Sequence, residues 1–597
     1  MKEHLIFVFM LVGLVGIGAQ WLAWRLRVPA IIFLIIGGLI VGPWQGWITP
    51  SEDLGHLLQP IIGLAVAVIL FEGGLNLRWH EYKETGISVN RLVTFGLLLT
   101  WVLSSLVAHF IGSLSWPVAI LFGAIIIVTG PTVIIPLLKQ ARLKRRAASL
   151  LKWEGIINDP IGALIAVLVF EYFSASEHHL ELTDMTLNLG LAFLVSMLAG
   201  IAAGYGLAWA FRKDHVPEFL KSPVMLVSVI IVYTAVNHFQ EEAGLLAVTI
   251  FGVMLGNQKL RSIDELRRFK EYITILLVSG VFVLLTADIK FDILTQLNWQ
   301  SAALLACVVF LVRPITVYVS TIGTGIAWQD RALLAWIAPR GIVAAAVAGI
   351  FGPQMVASGY DGADQLLPLV FSLIVMTVVL HGLSIKWIAR KLELASLNPN
   401  GLVIVGASPW SIELAKIFHE KDVPVILSDS SWHHLRSARM TNVSTHHGEI
   451  LSERSEEKLE LNAVSHLLAA TANDAYNALV CTRFAPEFGR NNVFQLPYLE
   501  KQEIKKKAVS RTMRGRIAFE ENARYEDFMR RHYQGWVFRK TLLSDNYDYK
   551  SFLNEKNENT ILISVIDNSG KIKFYPLDES FVPQSGDTII SFRSSKP

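Results

Sequence analysis

The chain has 597 residues, of which 52% are hydrophobic and only 17% charged, with a formal net charge of +3 at pH 7. Soluble globular chains carry about 25% charged residues, so most of this one is expected to be solvated by lipid, which excludes a soluble enzyme, a nucleic-acid binder and a disordered scaffold; the small net charge implies no polyanionic partner. The two cysteines, Cys307 and Cys481, are too few for a disulfide framework.

A helix that crosses ~30 Å of hydrocarbon needs about 20 apolar residues. Residues 1–392 hold thirteen candidate spans, near 5–24, 29–42, 60–76, 91–111, 117–138, 150–173, 187–211, 222–239, 243–256, 272–287, 299–322, 331–351 and 364–388. The first is too long for a signal-peptide core, ends in tryptophans and lacks a small-residue cleavage site, so it reads as a span. Basic residues fall in alternate loops: Arg25 and Arg27, then Arg78 and Lys83, then Lys139 to Lys152, Arg212 to Lys221, Lys259 to Lys270, and Arg331. The loops between them hold only Lys290. The bias places the N-terminus outside and the tail in the cytoplasm of a cell membrane.

After Lys391 the texture changes. Residues 393–400 read as a linker ending in Asn398-Pro-Asn-Gly401. Residues 401–510 alternate short buried strands (402–405, 424–427, 467–470) with helical stretches (410–420, 473–480), the pattern of a parallel, Rossmann-like α/β domain. Residues 515–597 carry strands at 560–565, 571–574 and 588–592, separated by Asn568-Ser-Gly570 and Ser585-Gly-Asp587, and read as a small β-rich α+β subdomain. The fold class is therefore an all-α polytopic membrane domain followed by these two soluble parts.

Ionisable groups inside spans cost roughly 2.5–3.5 kcal/mol each on insertion scales and mark function by default. Here they are Glu72, Glu154, Asp159, Arg313 and Arg340. Glu154 and Asn158 are four apart and share a helix face, while Asp159 is turned about 100° away. One carboxylate can pair with a buried arginine, Arg313 or Arg340, with Arg313 slightly preferred. The plain alternative is that these charges only lock helices together, but Asp159 is left with no obvious second partner. Val128-Thr-Gly-Pro131 breaks the fifth span at Gly130 and Pro131, and Pro339-Arg-Gly341 interrupts the twelfth. Broken helices at the midplane are where transporters coordinate small ions. Glu72 lies beside flexible Gly73-Gly74. A buried carboxylate tuned toward neutrality holds a proton or a monovalent cation but not both. Asp288 and His381, near span ends, are expected to be interfacial, and the histidine pairs 178–179, 433–434 and 446–447 to be solvated.

Phe71-Glu-Gly-Gly-Leu75, Thr129-Gly-Pro131, Glu154-Gly-Ile-Ile-Asn-Asp159, Arg313-Pro and Pro339-Arg-Gly341, in this order over about 390 residues, resemble the NhaP-like, sodium/proton-exchanger branch of the cation/proton antiporters. The resemblance implies a homodimer with a dimerisation domain and a mobile core of crossed, broken helices. It implies that Asp159 alternately binds Na+ or K+ and H+, that Thr129 offers oxygen to the ion, that Glu72 sits near the same pocket, and that Glu154 pairs with an arginine. Asn158 stands where the electrogenic branch has a second aspartate, which implies electroneutral one-for-one exchange. Gly130 and Gly155 stand where NhaP-like proteins usually carry aspartate and serine. Both changes remove oxygen ligands, which would suit potassium.

Val405-Gly-Ala-Ser-Pro-Trp-Ser-Ile-Glu413 lies between a strand and a helix, the context of a dinucleotide fingerprint, with Gly406 retained and Ser408 and Ser411 in the other two positions. Asp429 closes the next strand, where an acid binds ribose. With Gly448 and the turn through Asp474, this resembles RCK (KTN) ligand-sensing domains, and the tail resembles their C-terminal subdomain. The resemblance implies a regulatory nucleotide, NAD(H) or AMP/ATP, at Gly406, Ser408, Asp429 and Asp474, and dimerisation through this module too. The alternative is a dimerisation module with a degenerate, empty site. No hydride-transfer group follows the motif. Because RCK domains also gate pores, a ligand-gated cation channel is the second functional reading, although no filter-like run of Thr, Val, Gly and Tyr is present.

Overall fold

A computed structural model describes residues 2–597 except 27, 142, 175–181, 259, 261–262, 290–297, 396–399, 453–454, 456–458, 460, 498–509, 511–512, 557–559, 580 and 596–597. It forms two compact units, Met1–Ala395 and Ser396–Pro597. The linker expected at 393–400, Lys290 and the end of the expected 401–510 domain fall wholly or partly outside the described residues.

In the first unit, eight helices among the described residues are long and apolar enough to cross a membrane. Five shorter apolar helices accompany them, Ala30–Trp44, Trp116–Ile127, Ala243–Gly256, Tyr272–Ala287 and Val343–Ala357. Outward-facing side chains are large and apolar, as in Phe9, Leu14, Trp21 and Trp24 of the first helix, the surface a lipid solvent requires. Proline sets local irregularities. Pro43 and Pro314 have no N–H to return to the preceding turn, and the ladder loosens to π-helix at Ile40–Trp44 and Val308–Val312.

Eight helices carry the argument: α1 (Leu58–Leu75), α2 (Trp116–Ile127), α3 (Pro131–Ala141), α4 (Arg145–Ser174), α5 (Arg313–Ser320), α6 (Trp328–Trp336), α7 (Ile342–Ala357) and α8 (Leu366–Lys391). The segments expected as the fifth and twelfth spans are each two helices, α2 with α3 and α6 with α7, separated by extended residues. The chain leaves α2 at Val128 (φ −59°, ψ 113°) and enters α7 through Gly341 (φ −102°, ψ 179°).

The second unit holds a six-stranded, fully parallel sheet in the order β3-β2-β1-β4-β5-β6. Its strands are β1 (Gly401–Val405), β2 (Val425–Asp429), β3 (Ser444–His447), β4 (Val464–Ala469), β5 (Val493–Gln495) and β6 (Arg516–Ile517). This is the strand order of doubly wound sheets, whose ligand crevice lies where the order reverses, here between β1 and β4. A second, antiparallel sheet runs β7-β10-β8-β9, with β7 (Trp536–Leu542), β8 (Ile561–Ile566), β9 (Ile572–Phe574) and β10 (Thr588–Ser594).

The boundary expected between 510 and 515 separates neither two sheets nor two cores, since β6 beyond it completes the parallel sheet. Phe519, Phe528, Phe538, Phe574 and Phe592 share one buried cluster with Leu402, Ile404, Trp410 and Phe418. Helix α9 (Pro409–His419), which follows β1, is covered by helix α10 (Tyr525–Tyr533), and the fully buried Trp410 stacks on Phe528 with centroids 4.4 Å apart. Ion pairs from Lys540 to Glu420 (2.7 Å) and from His532 to Glu413 (3.2 Å) rim that contact.

Cys481 reports on this unit. It is buried, its Sγ lies 3.4 Å from the Phe494 carbonyl, and burial pushes its thiol up to about 12. In a Cys307→Ser background its maleimide labelling at pH 8 is expected to be roughly a thousandfold slower than that of a free thiol, and to recover on denaturation. Trp410→Ala, which should cost about 3–5 kcal/mol, is expected to restore labelling without denaturant. Fast labelling of the unsubstituted tail would contradict the packing described.

Candidate ion site at the crossed helix breaks

Four helix ends meet in the first unit. The C-termini of α2 and α6 and the N-termini of α3 and α7 flank two unwound segments, and these touch through an isolated antiparallel bridge between Thr129 and Arg340. The bridge gives partners to backbone groups that broken helices would leave bare in a membrane. The approach is so close that a Cβ on Gly341 would lie 2.4 Å from the Gly130 Cα. Gly130 itself starts the next helix, its carbonyl accepting from the Val133 and Ile134 amides at 3.1 Å. Paired N-termini contribute partial positive charge and paired C-termini partial negative charge to the same point.

Asp159 stands against this crossing. That Gly341 Cβ would be 3.7 Å from Asp159 Oδ1, and across the break a Cβ on Gly162, one turn further along α4, would meet the Val128 amide at 3.0 Å. Asp159 is 1% exposed. Three buried oxygens here have no hydrogen-bond partner among the described residues: Asp159 Oδ1, Asn158 Oδ1 and Thr129 Oγ1. Pro160 denies the Ile156 carbonyl its helical partner. The site therefore offers oxygens and a carboxylate, with no basic side chain among the described residues bonded to that carboxylate, which is the donor set of a hard monovalent cation.

Glu154, one turn earlier on α4, is occupied elsewhere. Arg313 grips it with both terminal nitrogens, Nη1 on Oε1 and Nη2 on Oε2 (2.9 Å). The rest of the guanidinium donates to carbonyls at the end of α6, from Nε to Leu334 (3.0 Å) and from Nη2 to Ile337 (3.1 Å). The pair ties α4, α5 and α6 together and leaves Asp159 alone. Arg340 is buried without a carboxylate; its amide donates to Thr377 Oγ1 (3.3 Å) and its Nε has no partner. Glu72 is half-buried on α1. Its neighbour Gly73 faces Ile156 of α4, but Glu72 enters none of the hydrogen bonds of the cluster.

His381, expected at an interface, is instead 1% exposed inside α8. It packs edge-on against Trp336 (centroids 6.1 Å apart), because α8 runs beside the end of α6 rather than reaching the membrane edge at that residue. Asp288 does sit at a helix end, where its Oδ1 accepts from the Ser51 amide at 2.7 Å. Histidine in an otherwise apolar helix was the only sequence signal for the buried position.

In the second unit the turn after β1 has the expected backbone, with Gly406 at φ +108° passing 2.9 Å from the Ala470 carbonyl at its Cβ position. Three of its amides, however, are taken. The Ala407 amide donates to Asp429 Oδ2 (2.7 Å), the Ser408 amide to Ser411 Oγ (2.8 Å) and the Ser411 amide to Ser408 Oγ (3.4 Å), while Pro409 has none. Dinucleotide turns hold pyrophosphate on such amides. The residues present do not fit that group: Ser408 caps a helix, and Asp429 grips the turn and the Ser431 amide (2.7 Å) instead of facing a ribose. Asp474 is exposed at the start of the helix after β4. These contacts weigh against the nucleotide-binding expectation for Gly406, Ser408, Asp429 and Asp474. Among the described residues no group of three or more His, Cys, Asp or Glu side chains could hold a metal ion.

Arg313→Ala is expected to cost about 3–5 kcal/mol because it leaves Glu154 charged and buried. The double variant Glu154→Gln, Arg313→Met should recover much of that loss. Thermal unfolding of the detergent-solubilised full chain compares the two; equal losses would mean that the pair does not organise these helices.

The comparisons with known proteins agree with this geometry. The K(+)/H(+) antiporter NhaP2 of Shewanella sp. (strain ANA-3) is 24% identical over 417 residues, covering 68% of this chain and 70% of its own. The K(+)/H(+) antiporter NhaP of Alkalimonas amylolytica is 27% identical over 394 residues, covering 65% of this chain and 67% of its own. The Na(+)/H(+) antiporter 1 of Methanocaldococcus jannaschii is 28% identical over 347 residues, covering 56% of this chain and 80% of its own. The solved structure of the sodium proton antiporter MjNhaP1 from that organism shares the fold, with a TM-score of 0.57 and 24% identity over 65% of this chain and 99% of its own. The family model described as sodium/hydrogen exchanger, transmembrane, matches residues 7–391. With its apolar helices crossed at two breaks beside the buried Asp159, the chain belongs to the sodium/hydrogen exchanger family, multi-pass membrane proteins that act as secondary transporters rather than enzymes.

Proposed function

We propose that the protein exchanges one monovalent cation, Na+ or K+, for one H+ by competition at Asp159. The observation that carries this is the buried Asp159 carboxylate with an unpartnered Oδ1, beside the unpartnered oxygens of Asn158 and Thr129 at the crossing of two broken helices. An empty, ionised carboxylate in that position is costly, whereas a protonated or cation-loaded one is neutral and can reorient. If only loaded forms move, a gradient of one ion drives the other. Asn158 adds no second charge, so each half-cycle carries the same charge and exchange is electroneutral. Glu154 and Arg313 hold the frame, and Glu72 lines the approach from α1. The match to relatives named for K+ and to one named for Na+ leaves both cations in the proposal.

The protein is proposed to sit in a prokaryotic inner membrane as a homodimer with thirteen spans per protomer, N-terminus outside and the Ser396–Pro597 unit in the cytoplasm. That unit has a doubly wound strand order, which supports reading it as an RCK-type module, and it is proposed to contribute to the dimer and to bias transport. No dinucleotide enters the proposal, because the Ala407, Ser408 and Ser411 amides of that turn are already bonded within the protein.

Liposomes that hold a pH-sensitive dye under an imposed pH gradient test the mechanism, with Na+ and K+ added in turn. The unsubstituted protein should move protons with at least one cation, and Asp159→Ala with neither. Competition requires the half-saturating cation concentration to rise about tenfold for each pH unit below the titration of Asp159. Activity in Asp159→Ala, or currents in place of saturable counterflow, would replace exchange with a channel. Asn158→Asp is expected to make flux respond to an imposed membrane potential; a voltage response already present in the unsubstituted protein would rule out one-for-one exchange.

A further inference from the structure

A second polar site adjoins the crossing, since Arg340 lines it and is bridged to Thr129. A small cavity, about 10 Å³ in volume, is lined by Val308, Val309, Trp336, Ala338, Arg340 and His381, with Arg313 and Thr377 at its wall. Most polar atoms around it are committed. Arg313 is bonded to Glu154 and to the Leu334 and Ile337 carbonyls. Thr377 Oγ1 donates to the Leu373 carbonyl (2.7 Å), and Trp336 Nε1 donates to Ser384 Oγ (2.8 Å). Arg340 Nε and both ring nitrogens of His381 have no partner among the described residues, although the two residues are 4% and 1% exposed.

Charge points the same way. Arg340 and Arg313 face one carboxylate, Glu154, so while Asp159 is neutralised by its proton or cation this buried group carries one excess positive charge. An acyl chain in the cavity would leave that charge and the ring nitrogens unsatisfied, at a cost of several kcal/mol per group. A partner must therefore carry negative charge, accept hydrogen bonds and tolerate the apolar wall of Val308, Val309 and Ala338. A multivalent anion would forfeit too much hydration there.

We propose that this cavity binds a small monovalent anion of halide size, accepting from Arg340 Nε and from the protonated nitrogen of His381. The site goes beyond the exchange reading, since the cation is bound on the Asp159 side. Arg340 is bridged to Thr129, so a bound anion holds the break in place and exchange should require it.

Crystals of the full chain grown in bromide test the site directly through anomalous scattering. A peak within hydrogen-bond distance of Arg340 and His381 is expected, and its loss in His381→Leu. In liposomes, exchange by the unsubstituted protein should fall at least about threefold when chloride is replaced by gluconate. His381→Leu should raise the half-saturating chloride concentration about tenfold, and His381→Gln, which keeps a donor, should largely rescue it. Only water in the cavity, or equal exchange in chloride and gluconate, would overturn the proposal. Failure of Asp159→Ala to stop exchange would bear on the cation site alone, because the bromide peak does not depend on transport.

Discussion

Two strands of backbone pass each other in the middle of the first unit with no room for a side chain between them. The Thr129–Arg340 bridge and the contact of Gly341 with Gly130 are the constraint on which the rest of that unit depends. Unwound backbone at membrane depth survives only where it is buried in protein and hydrogen-bonded, and the two breaks meet that requirement for each other. Helix ends are thereby gathered at one point, and their opposite partial charges give a small ion a polar environment without a cage of acidic side chains. The steric demand falls on Gly341, where a Cβ would lie 2.4 Å from the Gly130 Cα.

The carboxylates divide by neighbour rather than by type. Glu154 and Asp159 lie on one helix, five residues apart, and both are buried. Glu154 is saturated by a bidentate arginine that also collects two carbonyls freed at the end of α6. Asp159 keeps an open oxygen. A buried ion pair of this kind adds little net stability over apolar packing, yet breaking it is costly. It serves here to fix three helices around a carboxylate that must remain free to change its charge.

The second unit shows a fold kept and a site closed. Its sheet has the doubly wound order, and Gly406 makes the tight turn. Serines in place of the other two glycines turn inward to cap α9, and the acid of the second strand bonds to the turn itself. Covering α9 with the tail's aromatic residues then binds both sheets into one core.

Much of this was legible in the sequence because it follows from local chemistry. Apolar length gave the helices, proline and glycine at 130–131 and 339–341 gave the breaks, and charges inside apolar runs picked out Glu154, Asp159, Arg313 and Arg340. The parallel sheet followed from alternating strand and helix texture. Pairing was legible only as a choice: the sequence offered Arg313 or Arg340 to Glu154 and leaned to Arg313, which the structure pairs with it, but periodicity carries no information across the 159 residues between them. His381 looked interfacial because its position along a helix says nothing of which helix it faces. The turn at 406–411 looked open because a motif records residue types and spacing, whereas the amides' partners, Asp429 among them, are set by the way the strands pack. The sequence by itself thus determined which groups must be buried and where the backbone must break; only the tertiary structure decided which buried group has a partner, because that depends on contacts between segments remote along the chain.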